Sequence, residues 1–226
     1  PNANLSQSMA SYYGPRNHCL PAFTLVDAVA RYVEDTVMVL GIPNASTTDA
    51  SDIPSAVAAA AEADLTFIAV GTDLNVAMEG LDMVGVGFNE AQQRLIKEVS
   101  AVAKKCVLVV FSANPLDLTE VMKNEKIQGV FHVGQPSVTI MGIGELLFGH
   151  VSPAGRMVQT VYPASYADQI SIFDMNMRPG VSAYPRPDCD KVDDADGCER
   201  GTNPGRTYRF YVDEPVVEFG FGLSYT

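Results

Sequence analysis

The chain has 226 residues, 47% of them hydrophobic, and a formal net charge of -12. Such a length buries one sizeable core, or a core plus a tail, which excludes a linker or a fibre. The spread acidity leaves no clustered positive face for a nucleic-acid backbone, and no apolar run approaches the roughly 20 residues that cross a bilayer.

In chain order, residues 23–33 have helical apolar spacing, and residues 36–40 follow as a short β-branched run. Residues 53–63 are Ala-rich and helical, with Asp52 placed as N-cap, and residues 64–71 (DLTFIAVG) read as a buried central strand. Residues 89–105 form a long amphipathic helix. The strand at 106–112, the helix at 116–124, the strand at 127–133 and the helix at 138–148 complete the alternation. Strands this apolar are covered on both faces, so the expected fold is a three-layer α/β sandwich with a mostly parallel sheet.

After Gly149 the pattern changes to an irregular tail with short β segments. Residues 157–162 suit an edge strand, and residues 163–204, rich in Pro, Asp and Gly, read as a segment wrapping over the surface. Residues 205–212 (GRTYRFYV) alternate in the β manner, and FGFGLSYT closes the chain on a tight bend. The sandwich is expected over residues 1–162, with 163–226 as wrapping loop and terminal β segments of the same domain.

Marks of compartment are few. No basic, apolar, small-residue leader opens the sequence. Asn4 and Asn44 stand in Asn-x-Ser sequons, the second in a polar stretch that reads as an exposed loop. Cys189 and Cys198 bracket an Asp-rich segment that a disulfide would staple in an oxidising compartment. Cys106 opens an apolar strand and reads as a small buried hydrophobe, while Cys19 is left open. With no CxxC and no ligand spacing among His18, His132 and His150, no metal site is expected, and no cofactor.

Functional loops of such sheets lie beyond the carboxyl ends of the strands. The loop at residues 72–89, TDLNVAMEGLDMVGVGFN, is long, glycine-rich and carries Asp73, Glu79 and Asp82. By spacing alone these acids read first as solvated loop carboxylates, Asp82 capping a turn.

Five ordered strings add more. VGTDLNVAMEGLDM with NEAQQRLI resembles the segment of family-three glycoside hydrolases in which VG, a loop, E-G-x-D and Q-x-x-L-I follow in that order. PNAN with SYYGP, LLFGHVSPAGRM, GRTYRFY and FGFGLSYT are similar to the same family in the same sequence order, from one end of the chain to the other. The resemblance implies a retaining exo-acting β-glycosidase, of β-xylosidase or β-glucosidase type, built from a (β/α)8 barrel that supplies an aspartate nucleophile and an α/β sandwich that supplies the acid/base glutamate. Glu79 matches that glutamate. Asp73, Asp82, Arg206 and Tyr208 are the expected carbohydrate contacts. The barrel is expected as a partner domain of the same protein, absent from this chain, and the protein is expected to be secreted or in a lytic compartment.

Some positions depart from the pattern. The family commonly has Arg after the E-G-x-D aspartate, where this chain has Met83, and often an acid where it has Ala77. Its G-Q-x-G-G stretch stands here as residues 134–138, GQPSV. These departures leave a second reading open: a glycosidase-like extracellular binding or structural protein without catalysis.

Overall fold

The computed structural model describes residues 23–136, 139–187 and 198–225. Asn4, Cys19, Cys189 and His18 lie outside the described residues, as do the PNAN and SYYGP strings. The elements of the first part are helix α1 (Leu25–Ala30), helix α2 (Ile53–Glu62), strand β1 (Thr66–Gly71), helix α3 (Glu90–Val102), strand β2 (Cys106–Phe111), helix α4 (Thr119–Met122), strand β3 (Ile127–Gly134) and helix α5 (Met141–Leu147).

The three strands pair in parallel in the order β1-β2-β3, so the apolar CVLVVF strand holds the middle. Its side chains alternate between two cores, as strand geometry requires. Cys106, Leu108 and Val110 join Ile68 and Val70 of β1 against α2 and α3, through Ile53, Leu95, Ile96 and Val99. Val109 and Phe111 turn to the other face and meet Leu25, Val29 and Ile143 of α1 and α5. Helices on both faces of a parallel sheet make the three-layer sandwich the sequence implies. Burial pushes the Cys106 thiol up to about 11, so it sits protonated in the core as a small hydrophobe.

Two expectations about this sheet are corrected. Among the described residues β1 lies at an edge, not in the centre. The β-branched run at residues 36–40 forms no strand, and Val37 is 78% exposed. A short run has no ladder of its own without a hydrogen-bonded neighbour, and burial alone does not supply one.

Helix boundaries follow local chemistry. Thr24 and Asp27 form a reciprocal capping box at α1, and the Asn89 side chain caps α3 by accepting from Gln92 N–H. Asp52 occupies the N-cap position of α2 but makes no side-chain cap bond; Pro54 in the first turn suits that helix start instead. The helix expected over residues 116–124 shrinks to α4, because Leu116 and Leu118 are drawn into the core ahead of it. No helix among the described residues is long and apolar enough to cross a membrane.

The tail holds more structure than its composition suggests: helix α6 (Ser165–Gln169), an antiparallel pair of strands β4 (Gly180–Pro185) and β5 (Arg200–Asn203), and helix α7 (Thr207–Phe210). The expected strand at residues 205–212 is therefore a helical turn. Its entry is fixed by Gly205 at φ +90 and Thr207 at φ +62, and Thr207 N–H donates to the Tyr162 hydroxyl at 2.7 Å. Its aromatics meet separate partners instead of a ladder: Tyr211 joins edge-on the stacked pair Tyr162 and Tyr166, whose rings lie 4.1 Å apart, while Tyr208 stacks on Phe219 and Phe210 lies under Arg178. The edge strand expected at residues 157–162 reduces to a single bridge, Val161 to Val217, with Met157 bonded to Phe221 and Gly220 beside it.

Candidate active site

The loop at residues 72–89 leaves the carboxyl end of β1 and ends at the cap of α3, so one strand and one helix hold its two ends. Within it, Met78 and Leu81 exchange backbone hydrogen bonds of 3.0 and 2.9 Å, which closes a two-residue tip made of Glu79 and Gly80. Gly80 has φ +80 with no neighbour near its missing side chain, so the backbone conformation alone calls for glycine there. The tip turns Glu79 outward, exposed, beyond the sheet. Asp82, one residue past the turn, is exposed as well.

Asp73 is placed differently. It is 6% exposed, and its carboxylate accepts Asn75 N–H at 2.9 Å and Ala45 N–H at 3.4 Å. Its own carbonyl accepts from Val76 and Ala77, which winds the first half of the loop into a turn. A buried carboxylate engaged by two backbone donors shapes the loop and its neighbour at Ala45.

Below the loop lies a cavity of about 230 Å3, lined by Val76, Met83, Phe88 and Leu116 with Asn89 and Gln92 at its polar side. Met83 packs against the main core. At the position where the resembled family commonly carries an arginine, this chain thus anchors the descending limb of the loop by apolar packing, and forms no fixed bidentate pair there. Gln135, from the divergent GQPSV stretch, donates to the Thr72 carbonyl at 3.1 Å, and the Thr72 and Ser112 hydroxyls meet at 3.1 Å.

Arg206 and Tyr208 belong to the tail. Arg206 donates from Nη2 to the carbonyl of Asp174, and its backbone N–H reaches the Met177 carbonyl at 2.9 Å. Asp174 is buried, and bonds from Ser182 and Asn176 hold its carboxyl below the usual range, with Arg206 assisting. Tyr208 is 62% exposed and stacks on Phe219 at 4.5 Å. Asp73, Glu79 and Asp82 thus share one loop, while Arg206 stands just before α7 and Tyr208 within it.

The residues that hold the loop were given no such role from the sequence, although Asn89 and Gln92 both fall in the NEAQQRLI string. Gln92 and Asn89 lie on the amphipathic helix and bind the strand end and residues 45–47. The available signal was a polar residue on the apolar stripe: Gln92 shares a face with Leu95, Ile96 and Val99.

Comparison with known proteins follows the same lines. A family model described as the glycosyl hydrolase family 3 C-terminal domain matches residues 1–225. Beta-xylosidase/alpha-L-arabinofuranosidase 2 of Medicago sativa subsp. varia is 34% identical over 230 residues, covering 100% of this chain and 27% of that protein. Exo-1,4-beta-xylosidase bxlB of Emericella nidulans is 32% identical over 223 residues, covering 98% of this chain and 26% of that protein. The chain therefore spans about a quarter of the length of these relatives. Among solved structures, a GH3 exo-beta-xylosidase (XlnD) in complex with a xylobiose aziridine activity based probe superposes with a TM-score of 0.82 at 27% identity, over 100% of this chain and 27% of that one. The beta-glucosidase from Listeria innocua in complex with glucose shares the fold at a TM-score of 0.58 and 21% identity, over 88% of this chain and 26% of that one. With one family model running almost from end to end, and the α/β sandwich and loop in place, this chain belongs to the glycosyl hydrolase family 3 C-terminal domain family.

Proposed function

We propose that this chain is the acid/base domain of a retaining exo-acting β-glycosidase, a β-xylosidase or β-glucosidase, and that it completes an active site with a (β/α)8 barrel of the same protein. The observation that carries the reading is the Glu79-Gly80 tip: an exposed carboxyl on a doubly bonded turn, within the E-G-x-D string, beyond the carboxyl end of β1. The names of the relatives, xylosidases above all, support the substrate class.

The chemistry asks two things of Glu79. As the barrel's nucleophile attacks the anomeric carbon, the Glu79 carboxyl gives its proton to the departing glycosidic oxygen, and in the second half the carboxylate takes a proton from the attacking water. In this reading sugar and barrel cover the exposed tip when the active site is assembled. Among the expected carbohydrate contacts, Asp82 and Tyr208 are exposed and are assigned to sugar; Asp73 and Arg206 act through the backbone groups they hold. Hydrolysis of β-xylosides and β-glucosides by the full-length protein tests the reading, and no turnover of either between acidic and neutral pH would sink it.

We further propose that the protein is secreted or lytic, with Cys198 bridged to Cys189. The Asn44 side chain lies in a turn in which Ser46 donates to its oxygen at 3.1 Å from N–H and 2.9 Å from the hydroxyl, leaving the amide nitrogen to carry glycan. Intact-mass and peptide mass spectrometry without reduction should show glycan on Asn44 or Asn4 and a Cys189–Cys198 peptide pair. Unmodified asparagines with free thiols at both cysteines would rule the proposal out.

A further inference from the structure

The strand end that leads into the loop is held by one buried side chain. Gln92 is the third residue of α3 and is 3% exposed. Its amide does what a neighbouring strand would do for β1. Oε1 accepts Gly71 N–H at 2.8 Å, and Nε2 donates to the Gly71 carbonyl at 3.0 Å. Both outward backbone groups at the end of the edge strand are satisfied by one planar amide, in the manner of a peptide unit. The second hydrogen of Nε2 goes to the Ala45 carbonyl at 2.9 Å. Asn89, one helical turn earlier, repeats the device: it accepts Gln92 N–H at 2.9 Å and donates to the Ala45 and Thr47 carbonyls at 2.7 and 3.1 Å.

The first turn of α3 therefore clamps the residue before the loop, the residue that ends it, and residues 45–47 beside it. Asp73 closes the circuit from the loop side through Ala45 N–H. Glu79 hangs between two ends held by the same turn of helix, and apart from the Asp73 carboxylate every partner in the clamp is a backbone or side-chain amide, which does not titrate in the working range.

Resting on the acid/base reading above, we propose that Gln92 is a positioning residue for proton transfer by Glu79, acting through Gly71 and residues 45–47 without touching substrate. A displacement of about 1 Å in a catalytic group can cost on the order of 100-fold in rate. Removing the amide frees the strand end and shifts the acid, while the barrel nucleophile is untouched.

The test uses the full-length protein with Gln92→Met, which keeps volume and loses every amide bond, and Asn89→Ser, which keeps the cap and loses both donors to residues 45–47. For Gln92→Met, kcat/KM on xylobiose or cellobiose, whichever the parent cleaves, should fall about 10–100-fold. On a dinitrophenyl β-glycoside, whose leaving group needs no proton, kcat/KM should stay within about threefold of the parent. Asn89→Ser should show the same leaving-group dependence with a smaller amplitude, and it decides the matter alone where Gln92→Met does not accumulate as folded protein. Equal loss on both substrates, or loss on neither, overturns the proposal. Glu79→Ala run in parallel separates the two levels. If Glu79→Ala lacks leaving-group dependence, the acid/base assignment itself fails; if it shows it and the clamp variants do not, only the role of Gln92 fails.

Discussion

Glu79→Ala in the full-length protein should lower kcat/KM on a natural disaccharide by on the order of 10²–10⁴-fold, the usual contribution of a positioned acid. The same variant should leave kcat/KM on a dinitrophenyl glycoside close to the parent value, because that leaving group departs without protonation. Its kcat on the aryl substrate should nonetheless fall, since hydrolysis of the glycosyl intermediate still needs a base, and the intermediate should accumulate as a burst. Azide needs no base. Added azide should restore kcat and yield a glycosyl azide with the β configuration, identified by NMR of the product. Fold should be unaffected, for Glu79 is exposed on a turn whose backbone bonds join Met78 and Leu81. A variant as fast as the parent on both substrates would remove Glu79 from the mechanism.

The second large effect is structural. Gly71 ends β1 at φ +142, and a side-chain carbon there would collide with the carbonyl of Phe111, which accepts Thr72 N–H at 2.8 Å. Gly71→Ala combines backbone strain with overpacking against a fixed backbone atom, and the cost should be on the order of 2–6 kcal/mol. The strand end has no room to yield, because Gln92 grips its other side. The expected result is a marked fall in thermal midpoint and in soluble yield, with loss of activity on every substrate irrespective of leaving group. Gly80→Ala, by contrast, meets only the left-handed backbone penalty, since open space surrounds that position. A Gly71→Ala protein as stable as the parent would show that the strand end relaxes more easily than its contacts imply.

Much of this molecule was readable before any coordinates. Continuous apolar strands such as CVLVVF can only be buried on both faces, and the helices between them carry one apolar stripe each, so a layered parallel sheet followed from pattern. The E-G-x-D string marked Glu79 as the acid/base candidate, and in the structure the glycine after it stands in a turn at positive φ. The long helix expected over residues 89–105 is α3, and the structure adds that Asn89 is its side-chain cap.

Other features were beyond sequence because their cause is non-local. Residues 36–40 and GRTYRFYV both carry β-forming side chains, yet neither forms a strand: a strand exists only where a neighbour supplies a ladder, and no residue reports its neighbour. Asp52 looked like a cap and is not bonded as one, whereas Asp73 looked solvated and is 6% exposed with its oxygens on backbone N–H groups. Most of all, the clamp on the loop joins Ala45, Gly71 and Gln92, separated by tens of residues. The sequence determined by itself the alternation of buried strands and amphipathic helices and the loop with its carboxylates, because these rest on local periodicity and composition. Tertiary structure alone decided which strand stands at the edge, which acid is buried and which amide completes the strand end, because those depend on hydrogen-bond partners that meet only when the chain is folded.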